Sequence, residues 1–199
     1  PNETELDKKS FPRLLAMSEV LWRNPKKNYI NFHKRVEDHY RILDILKVDY
    51  GIETIPAIIN LEHGSNNHAI IDKKVNNLNY YYSWNGDSLK LLKSNRLVVD
   101  NLGTLNIQAF KNKKKYGKSI NQKISIHNGI GKSVSYENRY SKYYKSDGEK
   151  TLTNGKLGSL NFKDGNWQGY FGSNFEVTID LDTITKLNSI GINFYQYIN

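Results

Sequence analysis

Residues 103–110 read Gly-Thr-Leu-Asn-Ile-Gln-Ala-Phe, and they place Leu105, Ile107 and Ala109 on one face at a period of two. That period is the signature of a strand with one buried face. Working outward, residues 78–84 set Leu78, Tyr80, Tyr82 and Trp84 in the same rhythm and run into the turn residues Asn85-Gly86-Asp87. Ile120, Ile124 and Ile126 continue the pattern on the far side. Short strands joined by Asn/Gly turns predict an all-β sandwich of roughly immunoglobulin size over residues 51–127. A second β unit is expected after Asn128-Gly129-Ile130-Gly131. Its clearest strand turns Phe175, Val177, Ile179 and Leu181 inward and Glu176, Thr178 and Asp180 outward, and a last apolar run, Ile190, Ile192 and Phe194, reads as one more strand.

Before residue 51 the grammar is helical, and all four prolines lie at or before Pro56. The first helix is expected to open at Ser10 as N-cap with Pro12 in its first turn. It would run through Leu14, Leu15, Val20, Leu21 and Trp22 to a stop at Asn24-Pro25. The second spaces Tyr29, Phe32, Val36, Leu43 and Leu46 as a heptad stripe, with His39 at its remaining position. Two one-sided helices with nothing nearby in sequence to cover them call for a partner surface. Their look is that of the end of a larger domain.

The chain has 199 residues and a formal net charge of +9, from 29 basic and 20 acidic side chains. The charge is uneven: residues 1–72 hold 10 basic and 11 acidic groups, whereas residues 73–199 hold 19 and 9. Lysine outnumbers arginine 23 to 6, which argues against bidentate recognition of bases or phosphates, and no nucleic-acid partner is expected. The densest cluster, Lys111, Lys113, Lys114 and Lys115, is either an electrostatic footprint for an acidic polymer or a solvated hairpin tip bracketed by Asn112 and Gly117. Cysteine is absent, which removes disulfides, thiolate metal sites and cysteine nucleophiles. No apolar run approaches the roughly 18 residues of a membrane span, and the opening PNETELDKKS lacks the order of a signal peptide.

These pieces occur in a recognisable sequence. The stretch Phe11 to Trp22, with Ala16, Glu19 and Trp22 forming an Ala-x-x-Glu-x-x-Trp element, precedes Phe32-His33-Lys34-Arg35 and Val48-Asp49-Tyr50. Together they resemble the last two helices of the (β/α)8 barrel of family 20 glycoside hydrolases, the β-N-acetylhexosaminidases. Tyr82 to Asp87 and Gly103 to Phe110 resemble the small sandwich that follows the barrel in bacterial members. Leu152 to Gly155, Gly158-Ser159, Asp164 to Gly169 and Phe175 to Leu181 are similar to a discoidin-like module of the coagulation factor 5/8 type C kind. The resemblance implies a mainly β chain in three parts. Residues 1–50 would be a helical remnant of a TIM barrel, 51–127 an immunoglobulin-like sandwich, and 128–199 an incomplete jelly roll with unpaired strand edges and poor order.

It also implies a chemistry. Family members use the substrate's own N-acetyl oxygen as nucleophile, an Asp to orient it and the adjacent Glu to protonate the leaving oxygen. No Asp-Glu dipeptide occurs in the sequence. Glu37-Asp38 is reversed in order and reads as a solvated surface pair, so the chain is expected to be catalytically silent, its partner being an N-terminal barrel outside it. Glu19 is expected to make a structural bond, to a loop or to Arg13. His33, His39, His63, His68 and His127 lack metal spacing, and His63 and His68 are expected to be exposed. Sugar binding is the activity left, with Trp167, Gln168, Tyr170 and Phe171 as the candidate contacts to N-acetylhexosamine-containing glycans. In such modules the same Trp-Gln-Gly segment leads into a core strand, and packing is the favoured reading of it. A structural calcium, common in related modules, would fall at Asn154, whose side chain is neutral. The resemblance implies a periplasmic, secreted or cell-surface setting. The alternative is a stand-alone polysaccharide-binding or adhesion module acting through the lysine-rich hairpin.

Overall fold

Alternating side chains resolve the middle of the chain into two antiparallel sheets that share one core. The structure, a computed structural model, describes residues 2–23, 29–52 and 54–195. Strands β1 (Ala57–Glu62), β2 (His68–Lys73) and β5 (Arg96–Val98) form one sheet. Strands β3 (Asn79–Trp84), β4 (Lys90–Leu91), β6 (Gly103–Lys111), β7 (Lys114–Ile124) and β9 (Lys156–Leu157) form the other, in the order β4-β3-β6-β7-β9. The inward faces meet: Ala57, Ile59, Ala69 and Ile71 of the first sheet pack in one cluster with Tyr80, Leu105, Ile107, Ala109, Tyr116 and Ile124 of the second. The mainly β class follows from that arrangement. Burying each of the larger side chains contributes about 1.5–3 kcal/mol before the entropy of ordering is subtracted.

The faces predicted for residues 104–110 and 78–84 do pack on the core, with Leu78, Tyr82 and Trp84 only partly buried, but Ser83 and Gln108 on the opposite faces are buried as well. The expected turn at Asn85-Gly86 has both residues at positive φ, as a two-residue type I′ turn requires. The β6–β7 hairpin turns at Asn112-Lys113, also both at positive φ, so Lys114 and Lys115 belong to the strand rather than to the tip. Gly117 lies in a bulge opposite Gln108, where the pairing slips between Ile107 and Ala109. Its φ is +67°, and a Cβ there would collide with the Thr54 carbonyl, which accepts the Lys118 N–H at 3.2 Å.

Three helices precede the sandwich: α1 (Glu3–Ser10), α2 (Arg13–Arg23) and α3 (Tyr29–Ile45). Ser10 is not an N-cap. It ends a helix that the periodicity did not reveal, α1, whose cap is Asn2 accepting the Glu5 N–H at 2.9 Å. The stop foreseen at Asn24-Pro25 lies outside the described residues. On α3 the buried stripe is Phe32, Val36, Tyr40 and Leu43 rather than the strict heptad. A straight helix turns every 3.6 residues, so the stripe drifts: Tyr40 takes the place expected for His39, and Leu46 is left 63% exposed. Tyr40 stacks on Tyr50 with ring centroids 4.4 Å apart.

The helices are joined to the sandwich through α3. Ile52 packs against both apolar clusters. Tyr116, 1% exposed, donates its phenolic hydrogen to Glu37. Lys111 Nζ reaches the other oxygen of Glu37 at 3.0 Å, and Lys114 Nζ meets Asp44 at 3.0 Å. Glu37 is therefore not the solvated surface carboxylate its sequence position implied, because the β6–β7 hairpin is folded down on it. Burial first, then the neighbouring Glu37, pushes the Tyr116 phenol far above its ordinary range.

Beyond Ile126 the organisation changes. The pairing β7–β9 crosses residue 128 and hydrogen-bonds residues 156–157 to the sandwich. Strand β8 (Val134–Tyr136) pairs with β10 (Val177–Ile179) as a separate two-stranded ribbon. The strand expected over 175–181 is thus three residues long, and Phe175 and Ile179, expected to face inward, keep more than a third of their surface in solvent. Ile190, Ile192 and Phe194 are exposed and form no strand among the described residues, since no neighbouring edge takes their backbone hydrogen bonds. No helix among the described residues is long and apolar enough to cross a membrane.

Two outcomes follow from the junction. Tyr116→Phe leaves a largely buried carboxylate without one of its donors and is expected to cost about 1–3 kcal/mol, read as a lower urea midpoint at unchanged slope; an unchanged midpoint would contradict the bond's role. The phenols of Tyr50, pushed up to about 12 by burial and then by Asp44, and of Tyr80 and Tyr116, raised chiefly by burial, are protonated in the folded chain at pH values where free tyrosine ionises. Their contribution is complete below pH 10 and declines as pH rises from 10 toward 12, because the unfolded chain gives up its protons first. Stability against urea across that window should fall accordingly.

Candidate functional site

Loops, rather than strands, dominate residues 138–175, and they are fixed by side chains bonding to nearby backbone. Asp164 accepts the N–H groups of Ser159 (2.5 Å) and Asn166 (2.8 Å), which folds residues 159–166 into a tight excursion. That excursion delivers Phe162 and Lys163 to the side of Trp167. From the other side, residues 142–146 bring Tyr143, Tyr144 and Lys145, tied down by reciprocal backbone bonds between Tyr144 and Gly169 and Gly169 and Ser141. Between the two loops lies a cleft of about 320 Å³ lined by Tyr143, Tyr144, Lys145, Phe162, Lys163 and Trp167.

The cleft wall is a run of ring contacts. Tyr144 meets Phe162 with centroids 6.0 Å apart, Phe162 meets Tyr195 at 5.8 Å, and Tyr195 meets Trp167 edge-on at 5.3 Å. Trp167 donates its indole N–H to the Ser159 carbonyl at 2.8 Å and lies against Gly158, where any Cβ would overlap the ring. Tyr143 is 80% exposed at the rim. Lys142 sits 5.1 Å above the Tyr143 ring centre and Lys163 5.5 Å above that of Phe162, which holds ammonium groups beside the aromatic surface. Flat apolar rings next to hydrogen-bonding and charged groups are what a pyranose recognises: its axial C–H face stacks and its hydroxyls find polar partners.

Of the four sequence candidates, the structure places only Trp167 in this cleft. Gln168 is used internally: its Nε2 donates to the Gly148 carbonyl at 3.0 Å and its Oε1 accepts the Tyr170 hydroxyl at 3.1 Å. Tyr170 packs edge-on to Phe175 at 5.0 Å, and burial, followed by Tyr136 and Tyr140, pushes its phenol up to about 12. Phe171 is 98% exposed beside the turn at Gly172 and is not part of the lining of this cleft. The residues that join Trp167 instead, Tyr143, Tyr144, Lys145, Phe162 and Lys163, carried a signal in the alternation of Tyr or Phe with Lys in Lys142-Tyr143-Tyr144-Lys145 and Phe162-Lys163.

Asn154, the residue at the expected calcium position, is engaged by protein groups. Its Nδ2 donates to Asp147 at 3.0 Å, its Oδ1 accepts the Lys156 N–H at 2.9 Å, and the Lys156 ammonium stands 3.9 Å from the same Asp147 carboxylate. Among the described residues no three His, Asp or Glu side chains are grouped to hold a metal. His63 is half-buried rather than exposed, its Nδ1 against Asn67 Oδ1 at 3.1 Å and its Nε2 shut away without a partner beneath Gly131. Burial, with His63 nearby, holds the His127 imidazole below its ordinary value.

The motif residues of the helices converge in a second cleft of about 260 Å³, between α2 and α3. Arg35 grips Glu19 bidentately, with Nε at 3.1 Å from Oε2, so Glu19 makes a structural bond to the next helix. Phe32 and His39 line the cleft beside them, and Trp22 is 89% exposed at its mouth. The lysine hairpin, in turn, spends Lys111 and Lys114 on Glu37 and Asp44, which lowers its net charge as an acidic-polymer footprint. Neither protein-family models nor curated proteins give a match to the chain.

Gly158→Ala should force the Trp167 indole off its seat, with an overpacking cost of about 1–3 kcal/mol. A changed near-ultraviolet circular dichroism signal with a lowered thermal midpoint is the expected readout, and an unaltered spectrum would show that the indole does not rest on Gly158.

Proposed function

We propose that the chain is a non-catalytic accessory segment that binds N-acetylhexosamine-containing glycans, of the kind found in the C-terminal part of family 20 β-N-acetylhexosaminidases. In that reading residues 1–50 correspond to the end of a (β/α)8 barrel, 51–127 to the immunoglobulin-like sandwich behind it, and 128–199 to a discoidin-like module. The observation that carries the binding role is the cleft itself, where Trp167, Tyr143, Tyr144 and Phe162 line one concave surface next to two lysines. The meeting of Glu19, Trp22, Phe32 and Arg35, the residues of the barrel-end motif, in one helix-helix cleft supports the parentage. The catalytic carboxylates implied by the resemblance are not among these residues, since Glu37 is committed to Tyr116 and Lys111.

The expected behaviour is retardation on immobilised N-acetylglucosamine oligosaccharides, abolished by Trp167→Ala and weakened several-fold by Tyr143→Ala, whose exposed ring is removable without loss of fold. A chromogenic N-acetylglucosaminide should be left intact by the purified chain. Passage through the column without delay, or measurable turnover, would each defeat the proposal.

A further inference from the structure

Charge at the aromatic cleft singles out a narrower class of sugar. Lys145 and Lys163 are part of the cleft lining, and Lys142 stands over the rim ring of Tyr143, so three ammonium groups flank one stacking surface. No carboxylate lines the cleft. The nearest acidic groups in sequence are turned to other partners: Asp164 accepts the Ser159 and Asn166 N–H groups, and Asp147 is bonded to Asn154 with Lys156 3.9 Å away. A neutral oligosaccharide gains nothing from such a field and must desolvate beside it. A glycan bearing carboxylate or sulfate groups gains at every approach.

We infer that the cleft formed by residues 142–146 and 162–167 selects anionic glycans, in which N-acetylhexosamine alternates with a uronate or carries sulfate. The inference rests on the sugar-binding reading above and adds the sign of the ligand's charge. Two features separate this ligand from single-stranded nucleic acid, which also combines stacking with negative charge. The cleft's cations are all lysines, compact point charges suited to a carboxylate or sulfate, with no guanidinium fork for a phosphate or a base edge. Its volume, about 320 Å³, is at the lower end of ligand pockets and suits one or two sugar rings rather than a run of bases.

The test compares two oligosaccharides of equal length by calorimetric titration of the full chain, hyaluronan fragments as the anionic probe and chitin oligosaccharides as the neutral one. Exposed lysine–anion contacts of ordinary strength predict roughly fivefold tighter binding of the anionic probe at low salt. The difference should shrink as salt is raised. Lys145→Gln with Lys163→Gln should bring the affinity for the anionic probe down to that for the neutral one and remove its salt dependence. Tyr143→Ala should weaken both. Equal affinity of the wild-type chain for the two probes overturns the charge selection alone. Absence of binding to either defeats the sugar-binding reading beneath it. Displacement of hyaluronan by an equal-charge oligothymidylate at the same concentration would replace the glycan with nucleic acid and overturn the inference.

Discussion

The fold hinges on a phenol that cannot stay neutral company with an apolar core unless it finds an acceptor. Tyr116 points into the sandwich, and its hydroxyl is satisfied by Glu37 from a helix 79 residues earlier in the chain. Glu37 in turn is held from two sides, one carboxylate oxygen accepting from Tyr116 and the other from Lys111. The bond therefore fixes the β6–β7 hairpin on α3 and lets Ile52 serve both apolar clusters. The Val36, Tyr40 and Leu43 side of α3 is covered by Phe11, Leu15, Val48, Tyr50 and Ile52. The opposite side of α2 keeps Leu14, Met17, Val20, Leu21 and Trp22 largely in solvent.

Past the sandwich the source of order is different. Neither apolar cluster takes in a described residue beyond Ile126, and the buried side chains there, Thr153 and Asn154, are polar. Ring-to-ring contacts and short side-chain-to-backbone bonds replace aliphatic packing. The same rings that hold the loops of residues 142–167 together line the cleft, so the site and its scaffold are made of one material. The lysines beside those rings then give the surface both a flat apolar face and a positive field.

How far the sequence disclosed this differs by region for physical reasons. Period two is a local property of one face, and Leu105, Ile107 and Ala109 are all buried as their spacing demanded. The stripe of α3 was readable in position but not in phase, because a heptad approximates a 3.6-residue turn and Tyr40 rather than His39 ends up inside. Glu19 was legible as structural, while its partner Arg35 depended on how two helices pack. Long-range pairs were the least legible: nothing near Glu37 in sequence announces Tyr116 and Lys111, and so a carboxylate that looked solvated is partly buried. The run Ile190, Ile192 and Phe194 had strand periodicity without a neighbouring edge, and period alone does not supply hydrogen-bond partners. At the cleft, the motif singled out Trp167, which the structure places in the lining. Tyr143, Tyr144 and Phe162 come from two loops with no single spacing, so the Lys-aromatic runs of each loop marked them only separately.

The central claim, that the Trp167 cleft is where glycan is held, is most directly tested by nuclear magnetic resonance of the three indole N–H groups, those of Trp22, Trp84 and Trp167. On titration with a hyaluronan oligosaccharide the Trp167 signal, reporting the bond to the Ser159 carbonyl, should move progressively while Trp84, in the sandwich, and Trp22, on α2, stay in place. Movement of the Trp22 signal alone, or of none of the three, would contradict the account.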